Sequence, residues 1–193
     1  MRTAIAALAV FALPFSANAS DWGFDSAHTS AQFAVKHMMV STVRGAFSGV
    51  SGSVHLDDKD VTKSTVEATI PLDTVDTREP KRDGHLKSPD FFDVAKFPTM
   101  TFKSTKVAPG QGGKLIIEGV LTLHGVSKPV VLDAEITPEV KGMGGRVSRG
   151  VSATTKVNRK DFGLVWNKPL ETGGVLIGDD VNIQIDAELQ PKS

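Results

Sequence analysis

No cysteine and no tyrosine occur in the 193 residues, aromatic side chains make up only 6%, and basic and acidic side chains balance at 22 each. Each shortage closes a class of function. Without thiols there is no disulfide, no thiolate metal site, no cysteine nucleophile and no thiol–disulfide exchange, so the fold must rest on its apolar core. Without an excess of Lys and Arg there is no basic surface to match a phosphate backbone, which argues against nucleic acid as a partner. Long apolar runs are missing too, apart from TAIAALAVFALPF over 3–15, which is too short for a spanning helix of about 20 residues.

That run lies between Met1-Arg2 and the small residues Ala17-Asn18-Ala19, the layout of a secretory leader cleaved after residue 19. A single arginine precedes it, so it is not a twin-arginine signal. Ser20 follows where a lipid-anchored protein would have cysteine. The expectation is a cleaved leader over 1–19, one domain over 20–193 and a periplasmic location. The 174 residues that remain suffice for one domain with a sizeable core, and they carry 21 basic against 22 acidic side chains.

What the chain has in plenty is period-two alternation, the mark of half-buried strands. SAQFAVKHM puts Ala31, Phe33, Val35 and His37 on one face, GVSGSVHLD puts Val50, Gly52, Val54 and Leu56 on one, and STVEATIPL alternates Val66, Ala68, Ile70 and Leu72. Five more strands are read over 99–107, 114–125, 128–136, 146–157 and 179–189, separated by Asp- and Gly-rich turns. Eight short strands with hairpin-length loops suggest an antiparallel sandwich or an up-and-down barrel. Long strands and the internal glycines 45, 49, 52, 119 and 150 favour the curved, closed form. The one long non-strand stretch, about 78–98, is expected to hold a short helix.

Catalytic and metal patterns are weak. Gly49-Val50-Ser51-Gly52-Ser53 fails the last position of a nucleophile elbow. Asp73 and Asp76 read as turn carboxylates, and Asp83 with His85 has no nucleophile beside it. The five histidines, 28, 37, 55, 85 and 124, have no ligand spacing. His28, His37 and His85 would make a metal group only by converging at one barrel end; otherwise they bond loop backbone or carboxylates, His85 for example with Asp83 or Asp76. The acidic stretch from Leu56 to Glu67 lacks the glycine and glutamate of a calcium loop. No catalytic residue, metal or cofactor is expected.

Four blocks, FDSAHTSAQFAVKHMMVSTVRGAFSGVSGSV (24–54), DTVDTREPKRDGHLKSPDFFDVAKFPTMTFKST (73–105), EGVLTLHGVSKPVVLDAEI (118–136) and NRKDFGL (158–164), together resemble the YceI-like family of polyisoprenoid-binding periplasmic proteins. The resemblance spans the chain after the leader. It implies an all-β, lipocalin-like eight-stranded antiparallel β-barrel with an elongated apolar cavity. It also implies a long-chain isoprenoid or other lipid as partner, and for some members a membrane cytochrome. It implies no reaction.

On that fold the expected apolar lining is Phe33, Val35, Phe47, Phe91, Phe92, Phe102, Ile117, Leu121 and Trp166, with His37, Arg44, Asp76 and His85 as polar contacts at the mouth. Small residues on the alternating faces (Ala31, Gly52, Ala68, Gly119, Ala153) are expected to leave room inside; a filled core is the alternative. The charged segment RDGHLKSPDFF (82–92) reads as a rim or lid, with Arg82, Asp83 and His85 facing water or a head group and both phenylalanines turned inward. Otherwise it is a helical plug. Ser88-Pro89 marks a break, since proline disfavours helix for the residue before it. The function expected is binding, storage or transport of an isoprenoid (a quinone or polyprenyl chain). The alternatives are an enzyme or redox accessory acting on the lipid head group through rim histidines, and a filled-core module docking on a membrane redox protein. The loop around Trp166 reads as a homodimer contact or a barrel cap.

Overall fold

The structure, a computed structural model, describes residues 19–171 and 173–192. The expected leader, apart from Ala19, lies outside the described residues. Eleven antiparallel strands form one sheet: β1 (Ala19–Phe24), β2 (Ser30–His37), β3 (Ser41–Phe47), β4 (Ser51–Asp57), β5 (Thr65–Pro71), β6 (Thr99–Pro109), β7 (Leu115–Leu123), β8 (Val126–Ile136), β9 (Val140–Lys141), β10 (Val147–Asn158) and β11 (Ile177–Pro191). A single α-helix among the described residues, α1 (Pro80–Lys87), stands between β5 and β6.

The sheet closes through β11. Its 15 residues pair with β10 along one edge and with β2 and then β1 along the other. β1 and β2 are thus two halves of one barrel strand, broken at 25–29. β3 and β4, which pair with β2 and β1, are the halves of the next, broken at 48–50. Counted this way the barrel has eight strands, in the order β1/β2, β3/β4, β5, β6, β7, β8, β10, β11.

The breaks have a physical purpose that alternation alone hides. Inward positions are even in β1 (Trp22, Phe24) and odd in β2 (Ala31, Phe33, Val35); they are odd in β3 (Val43, Phe47) and even in β4 (Val54, Leu56). A strand running straight through would turn one half's apolar set to solvent, because a one-residue shift exchanges the two faces. The breaks absorb that shift. A third shift sits in β6, where the register moves from Ser104↔Gly119 to Lys106↔Glu118 and leaves Thr105 as the extra residue of a bulge.

The eight strands read from the sequence are each one piece of the eight barrel strands. The count of barrel strands is right, while β1, β3 and the two-residue β9 were missed. β1 lies at the leader junction. β3 (STVRGAF) has glycine at its central inward position, so its alternation reads poorly; Phe33, directly opposite Gly45, fills the gap with its ring. The helix expected within 78–98 forms over 80–87, with Pro80 at its first turn, the Glu79 side chain accepting from the Lys81 N–H, and Ser88 as the C-cap before Pro89.

One end of the barrel, here the lower, carries the 58–64, 110–114 and 137–146 connections. It is sealed from inside. Trp22 is 1% exposed and packs with Val54, Leu56 and Leu189. The Arg149 guanidinium lies 5.3 Å from the Trp22 ring centroid and is held by Asp58 at 3.0 and 2.8 Å and by Glu139 at 3.2 Å. Burial works against the charge of Arg149, but the hydrogen bonds it donates to both carboxylates outweigh that and raise its pKa. The upper end carries the β2–β3 hairpin, the 72–98 segment with α1, the β7–β8 turn and the 159–176 loop.

Candidate functional site

Above the Trp22 seal the barrel is hollow. A cavity of about 610 Å³ runs from Val54, Leu56, Ile117 and Leu132 up to α1 and the upper loops, and its lining is almost wholly apolar. Eight strands give an interior that side chains can fill or that can hold one small ligand; here it holds space, and the volume lies within the range of ligand pockets. The nine residues expected to line it, Phe33, Val35, Phe47, Phe91, Phe92, Phe102, Ile117, Leu121 and Trp166, all do so.

The expectation about small residues holds only in part. Ala31, Ala68 and Ala153 line the cavity. Gly119 creates no free space, because the Phe102 ring lies on it: a Cβ there would sit 2.4 Å from Phe102 Cζ. Gly52 does not line the cavity. It is exposed with φ +141°, and a Cβ would sit 2.0 Å from the Glu67 carbonyl oxygen, so glycine is there for a close approach of β4 to β5.

Most of the polar lining lies at the upper end, with Ser64 and Glu135 at the lower one. His37 and His85 line the cavity as expected, and so does Arg82 of the expected rim; Lys36, Glu79 and Lys81 join them and were not foreseen as mouth contacts. Arg44 and Asp76 do not line it. Arg44 alternates with the inward residues Val43 and Gly45 and so faces outward. Asp76 is exposed, its backbone pairs with Ala46, and its carboxylate accepts from the Arg78 N–H at 2.7 Å.

The segment 82–92 is rim and packing at once. Asp83 accepts from the backbone N–H and hydroxyl of buried Thr77, and Arg82 donates to the Thr77 hydroxyl and carbonyl oxygens. These two charges therefore pin α1 to the strand-like stretch beside β3; Asp83 faces no cavity. His85 bonds Asp90 at 2.8 Å, not Asp83 or Asp76. Its ring meets Phe91 edge-on at 5.0 Å and Trp166 at 4.8 Å. Phe92 packs edge-on against Phe47 at 5.6 Å within the main core cluster.

Arg159 went unnoticed in the sequence. It is 5% exposed and donates to the carbonyl oxygens of Gly178, Leu164 and Trp166, with the Asp179 carboxylate at 3.3 Å. Burial lowers its pKa, and Asp179 opposes that. It fixes the loop that brings Leu164 and Trp166 to the cavity. Nothing in a sequence marks such a residue, since its partners are backbone carbonyls brought in from two other segments.

The histidines do not converge. His28 lies at the β1/β2 break with Asp25 at 3.0 Å and Glu188 at 3.8 Å. Among the described residues this trio is the single group with metal-ligand spacing, but Arg146 occupies Asp25 at 2.9 Å. His55 bonds Asp21, and His124 meets Phe97 edge-on at 4.8 Å.

Comparison with known proteins gives the architecture a family. The YceI-like domain matches residues 22–189. The chain belongs to the YceI-like family. A UPF0312 protein of Vibrio cholerae is 37% identical over 163 residues, covering 83% of this chain and 86% of its own. One from Staphylococcus aureus is 36% identical over 170 residues, covering 88% and 96%. Among solved YceI-like structures, the Campylobacter jejuni YceI protein superposes with a TM-score of 0.70 at 34% identity, covering 82% of this chain and 90% of its own. A polyisoprenoid binding domain from Saccharophagus degradans shares the fold with a TM-score of 0.63 at 14% identity, covering 89% and 98%.

Proposed function

We propose that this YceI-like protein binds an isoprenoid lipid, its chain along the barrel interior and its polar head at the upper mouth, and stores or carries it in the periplasm after loss of the leader. The observation that carries the reading is the shape and chemistry of the cavity: its walls are almost wholly apolar, Trp22 is buried at its lower end, and most of its polar lining lies beside α1 and the β2–β3 hairpin. Each methylene buried there contributes about 0.8 kcal/mol, so a five-carbon isoprene unit is worth about 4 kcal/mol before ordering costs. A chain with no hydrogen-bonding groups suits such walls. The polyisoprenoid-binding description of the S. degradans domain agrees with this reading. Family and neighbours point to binding rather than to catalysis, and the mouth favours the same view: His85 is engaged with Asp90, and no nucleophile is among its hydrogen-bond partners.

The test is native mass spectrometry of the protein from its own periplasm, followed by organic extraction. A stoichiometric long-chain isoprenoid is the expected result. A clean unliganded mass, with no uptake of added quinones or polyprenols, would overturn the proposal.

A further inference from the structure

Among the described residues eight large apolar side chains are markedly exposed, and five belong to the upper end. Met38, Met39 and Val40, 43%, 65% and 81% exposed, form the tip of the β2–β3 hairpin. Val165 lies between the cavity-lining Leu164 and Trp166, and Val175 precedes the cavity-lining Leu176. The tip touches that second loop, since the Met38 N–H donates to the Leu176 carbonyl oxygen at 2.8 Å.

The backbone at the tip is informative. Met38 and Met39 have φ of +51° and +62°, and the Val40 N–H donates to the His37 carbonyl oxygen at 3.1 Å. Two consecutive positive φ values are the pattern of a primed hairpin turn, in which Asn-Gly is the favoured pair. Two methionines there are locally unfavourable, and backbone held against its preference is the kind of outlier from which a function is inferred. The tip keeps flexible apolar side chains, pointed at solvent, where a polar pair would fold better.

Next to the tip the charges are uncompensated. Lys36, Lys81 and Arg82 line the mouth together with a single nearby carboxylate, Glu79, and among the described residues none of the three cations forms an ion pair. Arg82 is held by Thr77, but apolar tips beside cations without a carboxylate partner match the two layers of an anionic lipid surface, acyl chains below and phosphates above. We infer that the upper rim docks on an anionic bilayer, with Met38, Met39 and Val40 inserted and the cavity mouth held against the lipid. This rests on the isoprenoid reading for its purpose: a chain that leaves water at about 0.8 kcal/mol per methylene does not cross water unaided.

The experiment is co-flotation of the purified protein, its N-terminus verified by intact mass, with phosphatidylcholine vesicles made with and without phosphatidylglycerol. Met38→Asn with Met39→Gly installs the favoured turn, so its melting temperature should equal or exceed that of the parent. Neither residue lines the cavity, so lipid retained in solution should be unchanged. The expected result is binding that needs phosphatidylglycerol and falls with salt, and that the variant loses by about tenfold or more. No binding by the parent would overturn the inference, as would equal binding by the variant. A parent dimer that the variant dissociates, without vesicle binding, would assign the tip to a second copy. Binding only to native membranes would assign it to a membrane protein. Because the vesicles contain no isoprenoid, a failed docking leaves the cargo test above standing, and the reverse also holds.

Discussion

Phe102 lies flat on Gly119 and Phe33 on Gly45, and these two contacts keep aromatic rings against the wall instead of across the lumen. A methyl group at 119 would meet the Phe102 ring at 2.4 Å and the Lys103 carbonyl oxygen at 2.7 Å. The backbone oxygen cannot yield, so the ring must swing inward. Gly119→Ala is expected to cost about 1–3 kcal/mol in urea unfolding and to reduce uptake of a fluorescent apolar probe; a variant as stable and as receptive as the parent would show that the ring is free to move elsewhere. His28 makes a second prediction. Hydrogen bonding to Asp25 raises its pKa above 6.5, and Glu188 adds to this while Arg146 opposes it; His28 in turn lowers the pKa of Asp25. A raised pKa gives stability fully present below the unfolded value and lost as pH rises through the folded one. The gap in melting temperature between the parent and His28→Gln should therefore be widest near about pH 5.5 and shrink above about pH 7. A gap independent of pH would mean that the ring charge plays no part in holding the seam. At this scale Phe33 and Phe102 were legible from strand alternation, because side-chain direction follows the pleat, whereas Phe47, Phe91, Phe92 and Trp166 lie outside the strands that alternation marks. Arg44 and Asp76 were misplaced for the same reason: one sits a single residue off the inward phase, and the other follows a strand end where the phase no longer applies.

The 159–176 loop has little regular structure, yet it carries Leu164 and Trp166 to the cavity, and one buried guanidinium organises it. Arg159→Met should cost about 3–5 kcal/mol, because three carbonyl oxygens lose their donor together. Hydrogen exchange at residues 164–178 should rise before the barrel strands open. A cost under about 1 kcal/mol would mean that the loop is held by packing alone. Strands were the most legible elements, and their breaks the least. A break that changes phase from odd to even leaves two short alternating runs. Each looks too brief to count, and β3 with glycine at its centre vanished altogether. The helix was legible as a span ended by Ser88-Pro89, while the Thr77 network that anchors it was not, since it joins groups five and six residues apart across a bend.

The molecule as a whole is a barrel with one sealed end and one furnished with loops. Trp22 is the seal, and Trp22→Ala should cost about 3–5 kcal/mol for the cavity it leaves. It should also let an apolar probe reach the interior from below, seen as faster uptake even when the upper rim is blocked by the vesicle surface. Unchanged kinetics would mean that Arg149, Leu189 and their neighbours close the end without it. The closed fold was expected from strand length, glycine placement and the family resemblance, but which end opens was not, because the seal joins β1, β4, β10 and β11, parts that only the completed ring brings together. A tube with a blind end is also a ruler. On the proposed isoprenoid reading, a chain that entered tail first would leave head first, and every unit of length beyond the closed end would stay outside. Chains shorter than the tube would sink their heads below the rim and longer ones would stand proud of it, so the depth of the barrel would set how much of such a guest is shown.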